Sequence, residues 1–115
     1  MPRDNRLYLD DILLAIEKIK IYTKDFSEDD FRDDFKTQDA VLHNLEIIGE
    51  AAGKIEESLK SKTKEIEWRK ITAMRNILAH EYFGISIPII WDVIKTKISP
   101  LEESCRSLLE KLEKE

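Results

Sequence analysis

Apolar residues recur every three or four positions along most of the chain, which is the spacing of one face of an α-helix. From about Arg6 to Lys24 the spacing predicts a first amphipathic helix, with a stripe formed by Leu9, Ile12, Leu13, Ile16, Ile19 and Tyr22. Ser27 has a hydroxyl side chain of the kind favoured at helix starts. It predicts the N-cap of a short second helix that carries Phe31 and Phe35.

A longer helix is predicted from an N-cap at Thr37 to about Lys60. Its main apolar stripe consists of Val41, Leu45, Ile48, Ala52, Ile55 and Leu59. A neighbouring stripe of Ala40, Ile47 and Ala51 widens the apolar face. Gly49 permits another backbone to approach closely. A face this broad indicates burial by more than one neighbour, and we expect a second subunit to be one of them.

The C-terminal half continues the helical pattern after a polar loop at Ser61–Glu67. A third long helix is predicted from Trp68 to Gly84, and Pro88 suits the first turn of the next one. The run Ser99-Pro100-Leu101-Glu102 has the features of a capping box and of a proline start, so a kink or break is expected there. The sequence therefore predicts one all-α domain over residues 1–115, an up-and-down bundle of four or five helices.

The amino-acid composition favours helices, and the charge and the few His and Cys residues limit which ligands the protein can bind. Among 115 residues, 42% are hydrophobic and 37% are charged, with three Gly and three Pro. The net charge of −5 argues against a broad basic surface for duplex nucleic acid, although a local basic groove is compatible with it. Two His and one Cys, far apart in sequence, form no zinc pattern, so we expect no metal site and no cofactor.

The location of the protein is predicted from what the sequence lacks. Cys105 is the single cysteine, which excludes an internal disulfide and fits a reducing cytoplasm. The polar N-terminus lacks the apolar core of a signal peptide, and no apolar run reaches the length of a membrane span. We therefore expect a cytoplasmic protein that does not enter the membrane.

The candidate chemistry lies in the segment Arg75–Gly84, which places an arginine, a histidine and a tyrosine within eight residues. Arginine binds phosphate through a fixed fork of donors, and histidine can transfer a proton near neutral pH. His80 would act as general base on a ribose 2′-hydroxyl or as general acid to the leaving oxygen, while Arg75 holds the phosphate. The alternative is structural, with Arg75 paired to a nearby glutamate.

Helix geometry restricts how these groups can meet. Arg75 and His80 are five residues apart, which separates them by roughly 140° around a regular helix. Either the helix loosens near His80, or a symmetric dimer brings two copies of the segment to one cleft. Asn76, four residues before His80, would orient it or bind substrate. Glu50 would either face such a cleft and contact Arg75 or point to solvent.

The run Arg75-Asn76-x-Leu78-x-His80-x-Tyr82 resembles the R-x-x-x-x-H-x-Y motif of HepT-type toxins, a branch of the HEPN ribonuclease superfamily. The resemblance extends from Tyr8 to Trp91. Further matching segments are Thr37-Gln38-Asp39-Ala40-Val41, Asn44-Leu45-Glu46-Ile47-Ile48-Gly49-Glu50-Ala51 and Trp68-Arg69.

This resemblance implies a HEPN-like helical homodimer that cleaves RNA without a metal ion, with Arg75 and His80 as catalytic residues. It also implies a partner, a minimal nucleotidyltransferase antitoxin that silences the toxin by transferring AMP to the motif tyrosine, here Tyr82. An alternative function is a non-catalytic helical subunit that binds substrate for a nucleotidyltransferase or regulates it. RNA cleavage that depends on His80 would separate the two.

Overall fold

The computed structural model describes residues 4–72 and 87–114, and these residues are helical apart from turns, with no strand among them. The helices are α1 (Asn5–Tyr22), α2 (Glu28–Asp33), α3 (Phe35–Lys54), α4 (Glu57–Lys60), α5 (Ile87–Asp92) and α6 (Ile98–Glu113). Residues 68–72 form the start of a further helix, and Val93–Lys97 is a π-helical turn between α5 and α6. The predicted all-α fold is confirmed. No helix in the described ranges is both long and apolar enough to cross a membrane.

The core forms where α1 packs lengthwise against α3 on one side and α6 on the other. Its most enclosed side chains come from all three helices and are Leu9, Ile12, Ile16, Ile19, Val41, Leu45, Ile48 and Cys105. Burying one such aliphatic side chain stabilises the fold by about 1.5–3 kcal/mol. A part-buried ion pair, Lys20 Nζ to Glu102 Oε1 at 2.8 Å, joins α1 to α6 at the edge of this core.

The short helix α2 begins as predicted. Ser27 Oγ accepts a hydrogen bond from the backbone N–H of Asp30, and the Asp30 carboxylate accepts one from the backbone N–H of Ser27. This reciprocal capping box satisfies two N–H groups that the helix leaves free. Phe31 is buried, whereas Phe35 is 75% exposed because α2 ends at Asp33 and Phe35 begins the next helix. The expectation that one helix carries both phenylalanines was wrong.

The long helix α3 starts earlier and ends sooner than predicted. Its N-cap is Asp34, whose Oδ1 accepts a hydrogen bond from the backbone N–H of Thr37 at 3.0 Å, so Thr37 lies inside the first turn. The helix ends at Lys54, and Ile55 adopts an extended backbone (φ −70°, ψ 138°) before α4. The apolar spacing continued through the break because Ile55 and Leu59 are also buried.

The chain itself covers part of the broad apolar side of α3. Asn44, Gly49 and Ala51 are buried in addition to the main stripe, whereas Ala40 and Ile47 of the neighbouring stripe are half-buried. Apart from Phe35 at its start and the last two residues, the exposed residues of α3 form a separate polar stripe, made of Lys36, Asp39, His43, Glu46 and Glu50. Intrachain packing therefore accounts for much of the breadth of the apolar face, and the expected second subunit stays a prediction.

The last helical stretch contains an irregular turn but no break. Pro88 lies in the first turn of α5 as predicted, and α6 runs through Ser99 and Pro100 without a side-chain cap at its start. The π-helical turn Val93–Lys97 immediately precedes it. Proline lacks the N–H that would bond to the carbonyl four residues earlier, and such a turn accommodates the gap. The predicted capping box at Ser99 was wrong and the helical chain does not break there, but the π-helical turn is an irregularity directly before Ser99 and Pro100, close to where a kink or break was expected.

Candidate active site

Four of the five site residues expected from the sequence lie outside the described residues. Arg75, Asn76, His80 and Tyr82 all fall between residues 73 and 86. The predicted helix end at Gly84 falls in the same range. What the structure describes is the chain on either side of this segment and the surface that Glu50 occupies.

Glu50 lies on the exposed polar stripe of α3. Its Oε1 is 3.5 Å from Nζ of Lys54, one helical turn later, and each side chain is about half exposed (52% and 54%). An exposed pair of this kind contributes little to stability, about 0.3–0.5 kcal/mol. Glu50 is therefore accessible to a ligand or partner, and its predicted contact with Arg75 stays a prediction.

The helix that leads toward Arg75 begins at Trp68, as predicted, and its start is fixed by a buried hydrogen bond. Trp68 Nε1–H donates to Thr63 Oγ1 at 2.9 Å, and both residues are buried. The Thr63 hydroxyl in turn donates to the carbonyl oxygens of Leu59 and Lys60, at 3.3 and 3.2 Å. The chain from α4 to the new helix, predicted as a polar loop, is thus anchored at Thr63, Ile66 and Trp68, all buried.

A second contact fixes the same helix one turn later. A Cβ placed on Gly53, near the end of α3, would lie 3.3 Å from Cγ2 of Thr72. This separation is tight for two carbon atoms that are not bonded, so the absence of a side chain at Gly53 permits the approach. Thr72 is three residues before Arg75. Sequence reasoning missed both Gly53 and Thr63, since neither carries a group that suggests chemistry.

A groove of about 470 Å³ lies among α3, the start of the Trp68 helix and the chain around the π-helical turn. Leu45 and Ile48 of α3 form part of its floor, and its other walls come from residues 65–71 and 93–104. Its charged side chains are two lysines and two glutamates, namely Lys70, Lys97, Glu65 and Glu67. Because these charges balance, the described residues that line the groove give it no excess of positive charge for a phosphate backbone.

The remaining candidate residues have structural positions. Trp68 and Trp91 pack against or within the core, and the Trp91 ring lies 5.6 Å from that of Phe31, with Lys95 Nζ 4.8 Å from its centroid. Cys105 is fully buried, and burial raises the pKa of its thiol to about 12, so the thiolate is not formed near neutral pH. No group of three or more metal-ligating side chains occurs within residues 4–72 and 87–114.

Comparison with known proteins decides the family. Residues 12–108, which include the whole Arg75–Gly84 segment, match the family described as "Ribonuclease HepT-like". The chain belongs to the HepT-like ribonuclease family. The expected class of enzyme, a ribonuclease, is thereby confirmed.

Two relatives show how far the similarity extends. A protein of Thermococcus cleftensis named "Probable ribonuclease HepT" is 42% identical over 102 residues, which cover 89% of this chain and 93% of the relative. "Gamma-glutamylcyclotransferase and putative RNase MJ0434" of Methanocaldococcus jannaschii is 40% identical over 114 residues. The chain spans about half (51%) of that longer relative. No solved structure matches the chain.

Proposed function

We propose that this HepT-like protein cleaves RNA without a metal ion and that Arg75 and His80 are its catalytic residues. The observation that carries the proposal is the Arg75-x-x-x-x-His80-x-Tyr82 pattern inside the region matched to a ribonuclease family. Both residue types suit phosphodiester chemistry, since arginine binds phosphate in two-pronged fashion and histidine exchanges protons near neutral pH. Asn76 is proposed to orient His80 or to bind RNA.

In the proposed reaction, His80 removes the proton from a ribose 2′-hydroxyl. The 2′-oxygen then attacks the adjacent phosphorus, and the bond from phosphorus to the 5′-oxygen of the next nucleotide breaks, leaving a 2′,3′-cyclic phosphate. The departing oxygen takes up a proton, either from His80 or from water. Arg75 offsets the negative charge that grows on the phosphate oxygens, a contribution that depends on placement to within about 0.5 Å.

The proposed active form is a homodimer in which the segments of two copies share one cleft. The support for this part is the angle of roughly 140° between Arg75 and His80 on a regular helix, which keeps one copy from directing both at one phosphate. Glu50 is a supporting residue in this arrangement because its half-exposed carboxylate, beside Lys54, is accessible to Arg75 of either copy. Sedimentation equilibrium of the purified chain tests the dimer directly.

We further propose that the protein acts in the cytoplasm as the toxin of a toxin–antitoxin pair. The antitoxin would be a minimal nucleotidyltransferase that transfers AMP from a nucleoside triphosphate to the Tyr82 hydroxyl and releases pyrophosphate. The support is the tyrosine two residues after His80, where an added phosphate would place negative charge beside the proposed phosphate site. Like charges would then repel an incoming RNA backbone.

Growth of cells expressing the protein tests the toxin proposal. We expect the parent chain to arrest growth, and His80→Ala and Arg75→Ala to permit it at equal protein level. We expect co-expressed nucleotidyltransferase to relieve the arrest and to add AMP, seen by mass spectrometry, to the parent but not to Tyr82→Phe. Arrest by both alanine variants at parental strength would contradict the site. Tight binding to the nucleotidyltransferase with no arrest and no cleavage would favour the non-catalytic subunit.

A further inference from the structure

The helix that begins at Trp68 is held at two points that the ribonuclease chemistry itself does not require. One point is the buried hydrogen bond from Trp68 Nε1–H to Thr63 Oγ1, at 2.9 Å. The other is the close approach of Thr72 to Gly53, where an added Cβ would lie 3.3 Å from the Thr72 methyl carbon. The two points are four residues apart, about 6 Å along a helix axis. Together they fix both the position and the direction of the helix start.

We propose that Gly53, Thr63, Trp68 and Thr72 form a positioning clamp that sets the placement of the catalytic residues. The inference rests on the proposed function, because Arg75 and His80 follow Thr72 by three and eight residues. On the sequence prediction that the helix continues, His80 is about 18 Å from Trp68 along its axis. A tilt of about 10° at the clamp would therefore displace His80 by about 3 Å. Misplacement by about 1 Å can reduce a catalysed rate on the order of a hundredfold.

The Thr63 hydroxyl is suited to this role because it both accepts and donates hydrogen bonds. The hydroxyl accepts from the Trp68 indole and donates to the carbonyls of Leu59 and Lys60, so it ties the new helix to the end of α4. Both residues are at most 6% exposed, so the loss of one partner would leave the other polar group buried and unpaired. Removing the hydroxyl leaves a buried indole N–H without an acceptor, and the ring must shift to find one.

Gly53 offers a test in which stability and positioning act in opposite directions. Gly53 lies in the last turn of α3 and is exposed, and alanine favours a helix more than glycine does. The new Cβ in Gly53→Ala would nevertheless press on Cγ2 of Thr72 and push the Trp68 helix outward by a few tenths of an ångström. Thr72→Ser removes that methyl carbon and keeps the hydroxyl. The double variant Gly53→Ala/Thr72→Ser should therefore return the helix to its place.

The experiment measures kcat and KM on a labelled oligoribonucleotide containing a site that the parent cleaves, together with thermal unfolding. We expect Gly53→Ala to unfold no earlier than the parent yet to lose kcat on the order of tenfold, with KM little changed, and the double variant to recover most of it. Thr63→Val should lose kcat similarly, while Thr63→Ser, which keeps the hydroxyl, should retain it. Parental kcat in folded Gly53→Ala and Thr63→Val would overturn the clamp.

Failure of the clamp and failure of the proposed function are separated by two further measurements. His80→Ala is assayed in the same series, and parental cleavage by it would disprove the assigned site, while the hold of the clamp on the helix is tested separately. Amide NMR spectra are recorded for the parent, Gly53→Ala and the double variant. Shifts that extend past Thr72 in Gly53→Ala and reverse in the double variant support the clamp even if no RNA is cleaved. Shifts confined to the neighbours of Gly53 would overturn it.

Discussion

The indole N–H of Trp68 donates a buried hydrogen bond of 2.9 Å to the hydroxyl oxygen of Thr63, five residues earlier in the chain. The bond holds the first residue of the helix that leads toward Arg75 against the mostly polar stretch that precedes it. The start of that helix is thus held by two residues outside the predicted site.

The core position Ile16 and the surface position Leu14 make a matched pair on α1. Ile16 is fully buried, whereas Leu14 is 52% exposed. We expect Ile16→Ala to lower the free energy of unfolding by about 2–5 kcal/mol, because a cavity adds to the lost burial. Leu14→Ala should change it by about 0.5 kcal/mol or less. The two variants are compared by urea unfolding, monitored by circular dichroism. Equal losses of unfolding free energy would contradict the packing of α1.

The ion pair between Lys20 and Glu102 should make part of the stability depend on pH. The hydrogen bond from Lys20 lowers the pKa of the Glu102 carboxyl, with a smaller contribution from Arg106. A carboxyl whose pKa is lower in the folded chain stabilises that state above its unfolded pKa of about 4.3, and this stability is lost as pH falls through the folded value. Glu102→Gln should therefore lower stability at pH 7 by about 1 kcal/mol or less.

The control for this prediction is Glu103→Gln, which removes the same charge from the exposed neighbouring position. Unfolding free energies are compared at pH 7 and at pH 3. The difference between Glu102→Gln and the parent should shrink toward pH 3, while Glu103→Gln should follow the parent at both values. A Glu102→Gln chain that is as stable as the parent at pH 7 would show that the pair contributes nothing.

The cap of α3 is a further point at which the structure can be checked. Asp34 Oδ1 accepts from the backbone N–H of Thr37, and this bond lowers the pKa of the Asp34 carboxyl. Asp34→Ala should lower the melting temperature at pH 7, and the loss should diminish in acid, where the carboxyl of the parent is protonated. Asp33→Ala, at the end of α2, is the matched control and should not lower it. A melting temperature that falls more in Asp33→Ala than in Asp34→Ala would place the helix start elsewhere.

The thiol of Cys105 should be alkylated only when the chain unfolds. It is fully buried, and burial raises its pKa to about 12, so both access and thiolate are lacking in the folded chain. We expect iodoacetamide at pH 8 to leave the native protein unmodified and to alkylate it fully in urea. Mass spectrometry measures the fraction. Rapid alkylation of the native chain would mean that the C-terminal helix separates readily from the core.

Hydrophobic spacing predicted which side chains are buried better than where helices end. The stripe from Val41 to Leu59 is buried as expected, yet the helix breaks at Ile55 because the same spacing continues into α4. Apolar spacing alone does not show where the backbone leaves the helix if the side chains on both sides of the break are buried. At the start of α3, Asp34 and Thr37 are both good caps, and only the coordinates show which one accepts the bond.

The candidate site was predictable to a different extent. The spacing of Arg75, His80 and Tyr82, together with the matching segments, indicated the family before any fold was available, and the family match confirms it. The clamp was not predictable, since Gly53 and Thr63 are twenty-two and twelve residues before Arg75 and act through packing and one hydrogen bond. Such contacts depend on the relative placement of helices, which the order of residues does not display.

The most direct test of the central claim is cleavage of a mixed RNA pool, with EDTA present, by the purified parent and by His80→Ala. Mass spectrometry first confirms that Tyr82 is unmodified, and circular dichroism confirms that both chains are folded. We predict that the parent cleaves and that His80→Ala is slower by a factor on the order of a hundred to ten thousand. Equal cleavage by both chains, or none by the folded and unmodified parent, would contradict a metal-independent ribonuclease site at His80.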